Sequence, residues 1–553
     1  MILLVVINTE YGLLGNNHLD IYLYLIQALE FSGNNIVGNN YYYINNLSPL
    51  IPFLTSLFFR LGFISETAIF IVTGIFYCFG VLGIYLLLKL RFNELCSIFG
   101  AILWGSLSIV LIWAASGSLD IPSVTLTLFS LYFTILASEK NQKFFYLALP
   151  LAVLAFFAKY TAGLVFPLII LYLLSKPDII CNIKKYLKNF IGGSLIGLTT
   201  AIPFIYYYIS IGSLGFVSQA QEIAESSQIN ISNDIFFYFI NIPLFIANPK
   251  EIFPWIIPDL ILSLIIILIA VYGLIYSFKK LFNFMKEYYK IHILVKNKSF
   301  LGSVRNNSVR KNNKLFLILF IVNILTFVII FLTVGQISFI FSELLIFISF
   351  FTFALLFNHI LKSMSEENNK KNYKYFSYDL LMCVWFISYM VFFSAHLVKV
   401  NRYFICMTPI FVFFVVLGMK YLMKDWKIKY KRFIIPLMLI SLMFFSLGQL
   451  TISKNSDFVD NANDVVSWLK KHDPNYENKI IFSDRGEIFT WLFKKEVYYV
   501  KDPYLSSESA TQNLIKKLNE NNATYFISRY NNLELEGFQE IMSNEKFSIY
   551  ERK

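Results

Sequence analysis

The chain has 553 residues, of which 57% are hydrophobic, 18% aromatic and only 15% charged. A soluble protein of this size cannot bury so much apolar surface, and a disordered chain needs the opposite composition. The expected fold class is therefore an all-α polytopic membrane protein. The formal net charge of +12 is unevenly spread.

Residues 1–451 carry 33 Lys and Arg against 19 Asp and Glu, whereas residues 452–553 carry 14 against 16. The basic excess thus belongs to the membrane part, where it sets orientation, and is no nucleic-acid footprint. The boundary also predicts two domains, a transmembrane domain over 1–451 and a small external α/β domain over 452–553. The five cysteines, Cys78, Cys96, Cys181, Cys383 and Cys406, have no metal-binding spacing and suggest no disulfide framework. No basic segment follows Met1, so no cleavable signal peptide is expected.

A membrane-spanning helix needs about 20 mostly apolar residues. Suitable runs lie near 64–88, 94–115, 119–137, 144–158, 161–175, 189–211, 253–277, 315–334, 338–361, 377–397, 403–423 and 433–451. The opening run Met1–Ile7 is too short to span, yet the topology needs a helix there. The expectation is about thirteen helices, the first truncated or begun upstream of Met1. Between Asn39 and Phe63, an aromatic, Pro-bounded stretch fits a helix lying on the bilayer surface. Its Tyr41–Tyr43 run could stack on a sugar ring, although Tyr is common at membrane interfaces in any case.

Every second connection is basic. Lys89 and Arg91 lie in one, Lys140 and Lys143 in the next, then Lys176, Lys184, Lys185 and Lys188. The 278–314 loop, Lys370–Lys374 and Lys427–Arg432 continue the series, so that 28 of the 33 basic residues fall on one side. Basic loops favour the cytoplasm. This places 9–62, the 115–119 turn, 212–252, 398–402 and the C-terminal tail outside. The five basic residues on that outer side are Arg60, Lys159, Lys250, Lys399 and Arg402. Some can snorkel, but cations at an outer membrane face also suit an anionic ligand.

The tail alternates helix and strand signals. Helices are expected at Asp464–Lys471, Ile488–Phe493 and Glu508–Asn519, and strands at Lys479–Ser483, Glu496–Val500, Ala523–Ser528 and Lys546–Tyr550. It has no Gly-rich phosphate loop and no obvious nucleophile constellation, which suggests an accessory unit.

Candidate chemistry clusters on the outer side. Asp20 precedes an apolar helix pattern, and Asp120 opens a span in SGSLDIPSV. Asp is a favoured helix cap, and a carboxylate at a membrane surface also suits a general base. Lys159 and Tyr160 sit in AFFAKYTAGL, and Arg402 and Tyr403 in NRYFICMTPIF. Glu343 lies inside an apolar run, where a carboxylate is costly unless paired.

In this order and on this side, the elements resemble the membrane glycosyltransferases of the GT-C class, and within it the protein O-mannosyltransferase and aminoarabinose-transferase branch. The resemblance spans essentially the whole chain. It implies a polyprenyl (dolichyl) phosphate-linked sugar as donor, used outside the cytoplasm, and a protein, lipid or glycan acceptor. It implies catalytic roles for Asp20, as general base, and Asp120, and substrate-binding roles for Lys159, Tyr160, Arg402 and Tyr403.

Two departures stand out. Asp20 is followed by Ile21 where the family often has Asp-Glu, and Asn46-Leu47-Ser48-Pro49 lacks the basic residue many members carry before the Pro-rich segment. Arg60 or Lys250 are the candidates to replace it. A polyprenyl phosphate leaves without general-acid help, so one base and a few cations suffice for an inverting displacement. No cofactor, metal or nucleic acid is expected, the lipid-phosphate sugar being a co-substrate. The main alternative is a transporter or flippase of a lipid-linked glycan, but no internal repeat is visible. An oligosaccharyltransferase would carry a Trp-Trp-Asp motif in its external domain, and no Trp-Trp pair occurs here. A non-catalytic relative would lack a working base.

Overall fold

A computed structural model describes residues 1–11, 20–34, 36–37, 47–176, 179, 182–212, 236–246, 261–277, 279, 318, 321–326, 328–329, 339–364, 375–395, 399–425, 440, 457–500 and 508–553. Among these, five helices are long and apolar enough to cross a membrane: Glu66–Lys89, Asp120–Glu139, Ile183–Ser210, Phe376–Ser394 and Asn401–Lys424. The protein is a mostly helical membrane protein with a small C-terminal sheet region. The expected total of about thirteen spans takes in stretches outside the described residues, 433–451 among them.

The labelled helices are α1 (Ile2–Tyr11), α2 (Asp20–Ser32), α3 (Leu50–Arg60), α4 (Glu66–Lys89), α5 (Glu94–Ser106), α6 (Ser108–Trp113), α7 (Asp120–Glu139), α8 (Phe145–Ala158), α9 (Val165–Leu174) and α10 (Ile183–Ser210). After two single-turn helices come α11 (Ile261–Ser277), α12 (Phe339–Met364), α13 (Phe376–Ala395) and α14 (Thr408–Asp425). The helix expected within Asn39–Phe63 is α3.

Local signals explain the ends. Ser65 caps α4 by accepting from the Thr67 amide, and Glu66 and Lys89 complement the dipole at its two ends. Asn93 caps α5 by accepting from the Cys96 amide at 3.1 Å. The expected single span over 94–115 is instead broken. Tyr77 donates its hydroxyl to the Gly105 carbonyl at 2.8 Å, and Leu107 turns extended, separating α5 from α6. That carbonyl finds a tertiary donor, so the chain can leave the helix without a buried orphan group.

Close helix contact uses small residues. On α10, a Cβ at Gly193 would lie 2.3 Å from the Phe145 carbonyl oxygen, and one at Gly197 would meet Val153 and the Leu149 backbone. Two glycines four apart therefore let α10 lie directly on α8.

At the end of the bundle that carries the basic connections, Arg91 pairs with Asp379 through Nε–Oδ1 at 3.0 Å, both side chains buried. Ser377 donates to the Ser175 carbonyl at 3.2 Å, and Lys176 pairs with Glu139 at 2.8 Å. The alternate connections form the other end.

The C-terminal unit follows with α15 (Asp457–His472), β1 (Ile481–Ser483), α16 (Gly486–Phe493), β2 (Tyr498–Tyr499), α17 (Glu508–Glu520), β3 (Tyr525–Ser528), β4 (Phe538–Ser543) and β5 (Ser548–Arg552). The strand order is β2-β1-β3-β5-β4, with β1 parallel to β2 and β3 and the remaining pairs antiparallel. β4 was not anticipated. Its FQEIMS sequence alternates poorly, and a register shift between Glu540 and Met542 blurs the period further.

The helix α16 rests on α2. Its Trp491 donates to Glu66 Oε1 at 2.9 Å and stacks on Phe59, with centroids 6.0 Å apart. The sheet region therefore sits at the end of the bundle where α2 and α4 begin.

Candidate active site

Asp20 is the first residue of α2, and Asp120 the first of α7. The turn before α7 brings the two starts together. It reverses through Ala115 at φ 46 and Gly117 at φ 74. A Cβ at Gly117 would lie 2.7 Å from the Ile21 side chain, so only glycine serves both the left-handed backbone and the approach of α2. The Gly117 amide donates to Thr73 Oγ1 at 3.1 Å, tying the turn to α4.

The cations arrive on two short 3₁₀ segments. Lys159 follows α8 in an extended conformation and leads into Tyr160–Leu164. Arg402 and Tyr403 lie in Asn401–Met407, which runs into α14. These tight turns replace the clean helix starts expected near 161 and 403 and point both cations inward.

A continuous ion network results. Arg402 Nη2 donates to Asp20 Oδ2 at 2.7 Å, and Arg402 Nε stands 4.0 Å from Asp120 Oδ2. Lys159 donates to Asp120 Oδ1. Ser118 donates its hydroxyl to Asp120 Oδ2 at 2.8 Å. Lys159 also lies over the Tyr403 ring, 4.6 Å from its centroid, and Arg402 over Trp113 at 5.7 Å. Phe393 stacks on Tyr403 at 4.7 Å, fixing that ring.

The two acids differ in access. The Asp20 side chain is 42% exposed and that of Asp120 is 2% exposed. A carboxylate this buried holds neighbouring groups; one this open can meet a substrate.

Asp20, Asp120, Lys159, Arg402 and Tyr403 thus come together. Tyr160 lies one residue from Lys159 but turns elsewhere: its hydroxyl donates to the Leu47 carbonyl at 2.9 Å and touches that of Tyr208, which bonds the same carbonyl at 3.1 Å. Arg60 is apart from the network, with Nη2 2.6 Å from the Phe31 carbonyl at the end of α2. Lys399 donates to the Phe393 carbonyl at 3.0 Å. Tyr41–Tyr43, Lys250 and the Glu343 side chain lie outside the described residues. Ser118 and Trp113 were missed in the sequence; the Ser-x-Asp spacing in SGSLDIPSV was the available signal for Ser118. Among the described residues, no group of three or more His, Cys, Asp or Glu side chains is placed to hold a metal ion.

Residues 46–207 match the family model described as dolichyl-phosphate-mannose-protein mannosyltransferase. The fold is similar to that of the Cupriavidus metallidurans ArnT crystallised with undecaprenyl phosphate, at TM-score 0.53 and 11% identity, over 96% of this chain and 93% of that one. The Archaeoglobus fulgidus oligosaccharyltransferase in its apo form matches at TM-score 0.48 and 11% identity, over 92% of this chain and 65% of that one. No curated protein matches the chain. The chain therefore resembles the GT-C class of membrane glycosyltransferases, in sequence over the segment that holds Asp120, Lys159 and Tyr160, and in fold throughout.

Proposed function

We propose that the protein is an integral membrane glycosyltransferase. It moves a sugar from a polyprenyl-phosphate donor, dolichyl or undecaprenyl in type, to a protein, lipid or glycan acceptor on the extracytoplasmic face. The observation that carries this reading is the Asp20–Arg402–Asp120–Lys159 network, in which one accessible carboxylate shares its cation with one buried carboxylate.

The chemistry follows from that division. The acceptor oxygen attacks the anomeric carbon from the face opposite the phosphate and inverts it. The carbon–oxygen bond to the phosphate breaks, and its electron pair leaves on the polyprenyl phosphate. Asp20 takes the acceptor proton. Arg402 and Lys159 offset the charge that grows on the leaving phosphate, and such preorganised donors supply a large share of transfer catalysis. Asp120 positions those two cations rather than meeting substrate, which narrows the catalytic role expected for it. Arg402 is shared between Asp20 and the donor phosphate, so donor binding draws it from Asp20 and frees the base.

Tyr403 floors the Lys159 ammonium, and Tyr160 holds the segment before α3 through the Leu47 carbonyl. Arg60, held on α2, takes no direct part in this scheme. The reaction needs no metal, because the leaving group is already a phosphate and the cations are supplied by side chains. The basic connections face the cytoplasm, and residues 452–553 form an accessory external domain.

The test is transfer in membranes from a panel of radiolabelled polyprenyl-phosphate sugars. Transfer that is insensitive to chelator is expected. Flux of the lipid-linked sugar across vesicles without transfer would favour the transporter reading, and complete loss in chelator would overturn the metal-free one.

A further inference from the structure

In the parallel part of the C-terminal sheet the chain reverses direction at a definite place. The chain goes from β1 through α16 to β2 on one side, then returns through α17 to β3 on the other. In open α/β sheets the strand ends at such a reversal frame a ligand crevice. Here those ends carry Asp484 and Arg485 after β1, Ser528 as the last residue of β3 and Arg529 after it.

The strand ends form one connected polar cluster. Asp484 is buried, accepts from Ser528 Oγ at 3.2 Å and from the Arg529 amide at 3.1 Å, and stands 4.0 Å from Arg529 Nε. Arg485 Nε is buried and, among the described residues, has no hydrogen-bond partner. Glu487, on the first turn of α16, is 9% exposed. Arg485, Asp484 and Asp20 all act electrostatically on it. Gly486 between them packs on β2, where a Cβ would meet the Val497 carbonyl oxygen at 3.0 Å.

These strand ends also lie on the side of the bundle that holds Asp20, whose carboxylate acts on Glu487. α16 lies on α2, and Trp491, one turn beyond Glu487, is locked to Glu66 and Phe59. The strand ends of an external sheet and the exposed acid at the start of α2 therefore converge.

Resting on the glycosyltransferase reading, we propose that these strand ends frame the acceptor subsite, and that it takes a hydroxyl-rich glycan end. Arg485 donates to hydroxyl oxygens and Glu487 accepts from hydroxyl protons. Asp484 positions the Ser528–Arg529 strand end against the same ligand. Carboxylates interleaved with guanidinium groups suit vicinal hydroxyls, which offer a donor and an acceptor side by side. The phosphate-binding cations lie in the membrane part, so donor and acceptor approach Asp20 from two sides.

The test uses the full chain, fluorescently tagged in lipid nanodiscs, on an array of glycans and an array of Ser- and Thr-containing peptides. Undecaprenyl phosphate binding is measured in parallel. The proposal expects saturable glycan binding that weakens about tenfold or more in Arg485→Ala and in Glu487→Gln. Both variants should keep undecaprenyl phosphate binding within about twofold, a readout that also reports an intact fold. Absence of glycan binding by the wild-type protein, or equal binding by both variants, would overturn it. Peptide binding lost in the same variants would overturn the glycan class. Failure of the wild-type protein to bind undecaprenyl phosphate would instead strike the donor reading and leave the glycan result legible by itself.

Discussion

Arg402 donates to Asp20 across 2.7 Å, although 382 positions separate them in the chain. The contact closes the described bundle from its N-terminal part to its C-terminal part. It also sets the state of the proposed base, since a carboxylate paired with a guanidinium is a poor proton acceptor until the pair opens.

Removing Arg402 should therefore harm catalysis more than folding. Arg402→Ala is expected to lower kcat for sugar transfer about 10²–10³-fold, the usual cost of losing one charge-stabilising donor. Arg402→Lys keeps the charge but cannot reach Asp20 and Asp120 together, so it should recover only part of the loss. Steady-state transfer from a radiolabelled polyprenyl-phosphate sugar checks both. Wild-type kcat in Arg402→Ala would remove Arg402 from the mechanism.

The Asp120–Lys159 pair should show strong coupling. Asp120 is almost fully buried, so Lys159→Met leaves its carboxylate with one cation fewer, and Asp120→Asn leaves Lys159 without a counter-charge. Each single change is expected to cost about 3–5 kcal/mol, as breaking one side of a buried pair does, and the double variant less than their sum. Thermal unfolding of the four proteins in one detergent measures the coupling. Additive losses would mean that the pair is not a unit.

Much of this arrangement was legible in the sequence, and the parts that were not share a cause. Hydropathy located the five described helices that are long and apolar enough to span, because each helix must satisfy its own backbone in lipid. The alternation of basic loops put Asp20, Asp120, Lys159 and Arg402 at one end of the bundle. It could not show that Arg402 bridges both acids, because that depends on two 3₁₀ turns with no sequence signal of their own. The break at Leu107 was hidden likewise, since its cause is the Tyr77 hydroxyl, a tertiary donor. Glu487 passed unnoticed among the 16 acids of the tail, as its neighbour Asp20 lies in another part of the chain. Arg60 drew attention through its side of the membrane, yet the structure engages it with the end of α2.

The seating of the sheet region can be tested at Trp491. Trp491→Ala removes the stack on Phe59 and the bond to Glu66, and is expected to cost about 3–5 kcal/mol at that contact. Limited proteolysis of the full chain should then release a C-terminal fragment several times faster than in the wild type. An unchanged release rate would show that other contacts hold the unit in place.

Glu487 gives a pH signature. Burial raises its carboxyl to about 7 from an ordinary value of 4.5, and the Asp20 and Asp484 carboxylates add to the rise while Arg485 opposes it. The folded protein thus holds this proton more tightly than the unfolded chain. The resulting stability is full below about pH 4.5 and is lost as pH climbs through about 7. Thermal unfolding between these limits should fall with pH less steeply in Glu487→Gln than in the wild type. Identical slopes would contradict the burial of this acid.

The central claim is that Asp20 takes the acceptor proton, and Asp20→Asn tests it most directly. The variant keeps the size of the side chain and a hydrogen-bond acceptor for Arg402, while losing the base. Single-turnover transfer in membranes, with bound undecaprenyl phosphate measured alongside, should show transfer lowered by about 10²–10⁴-fold and lipid binding retained. Undiminished transfer by Asp20→Asn would contradict the account.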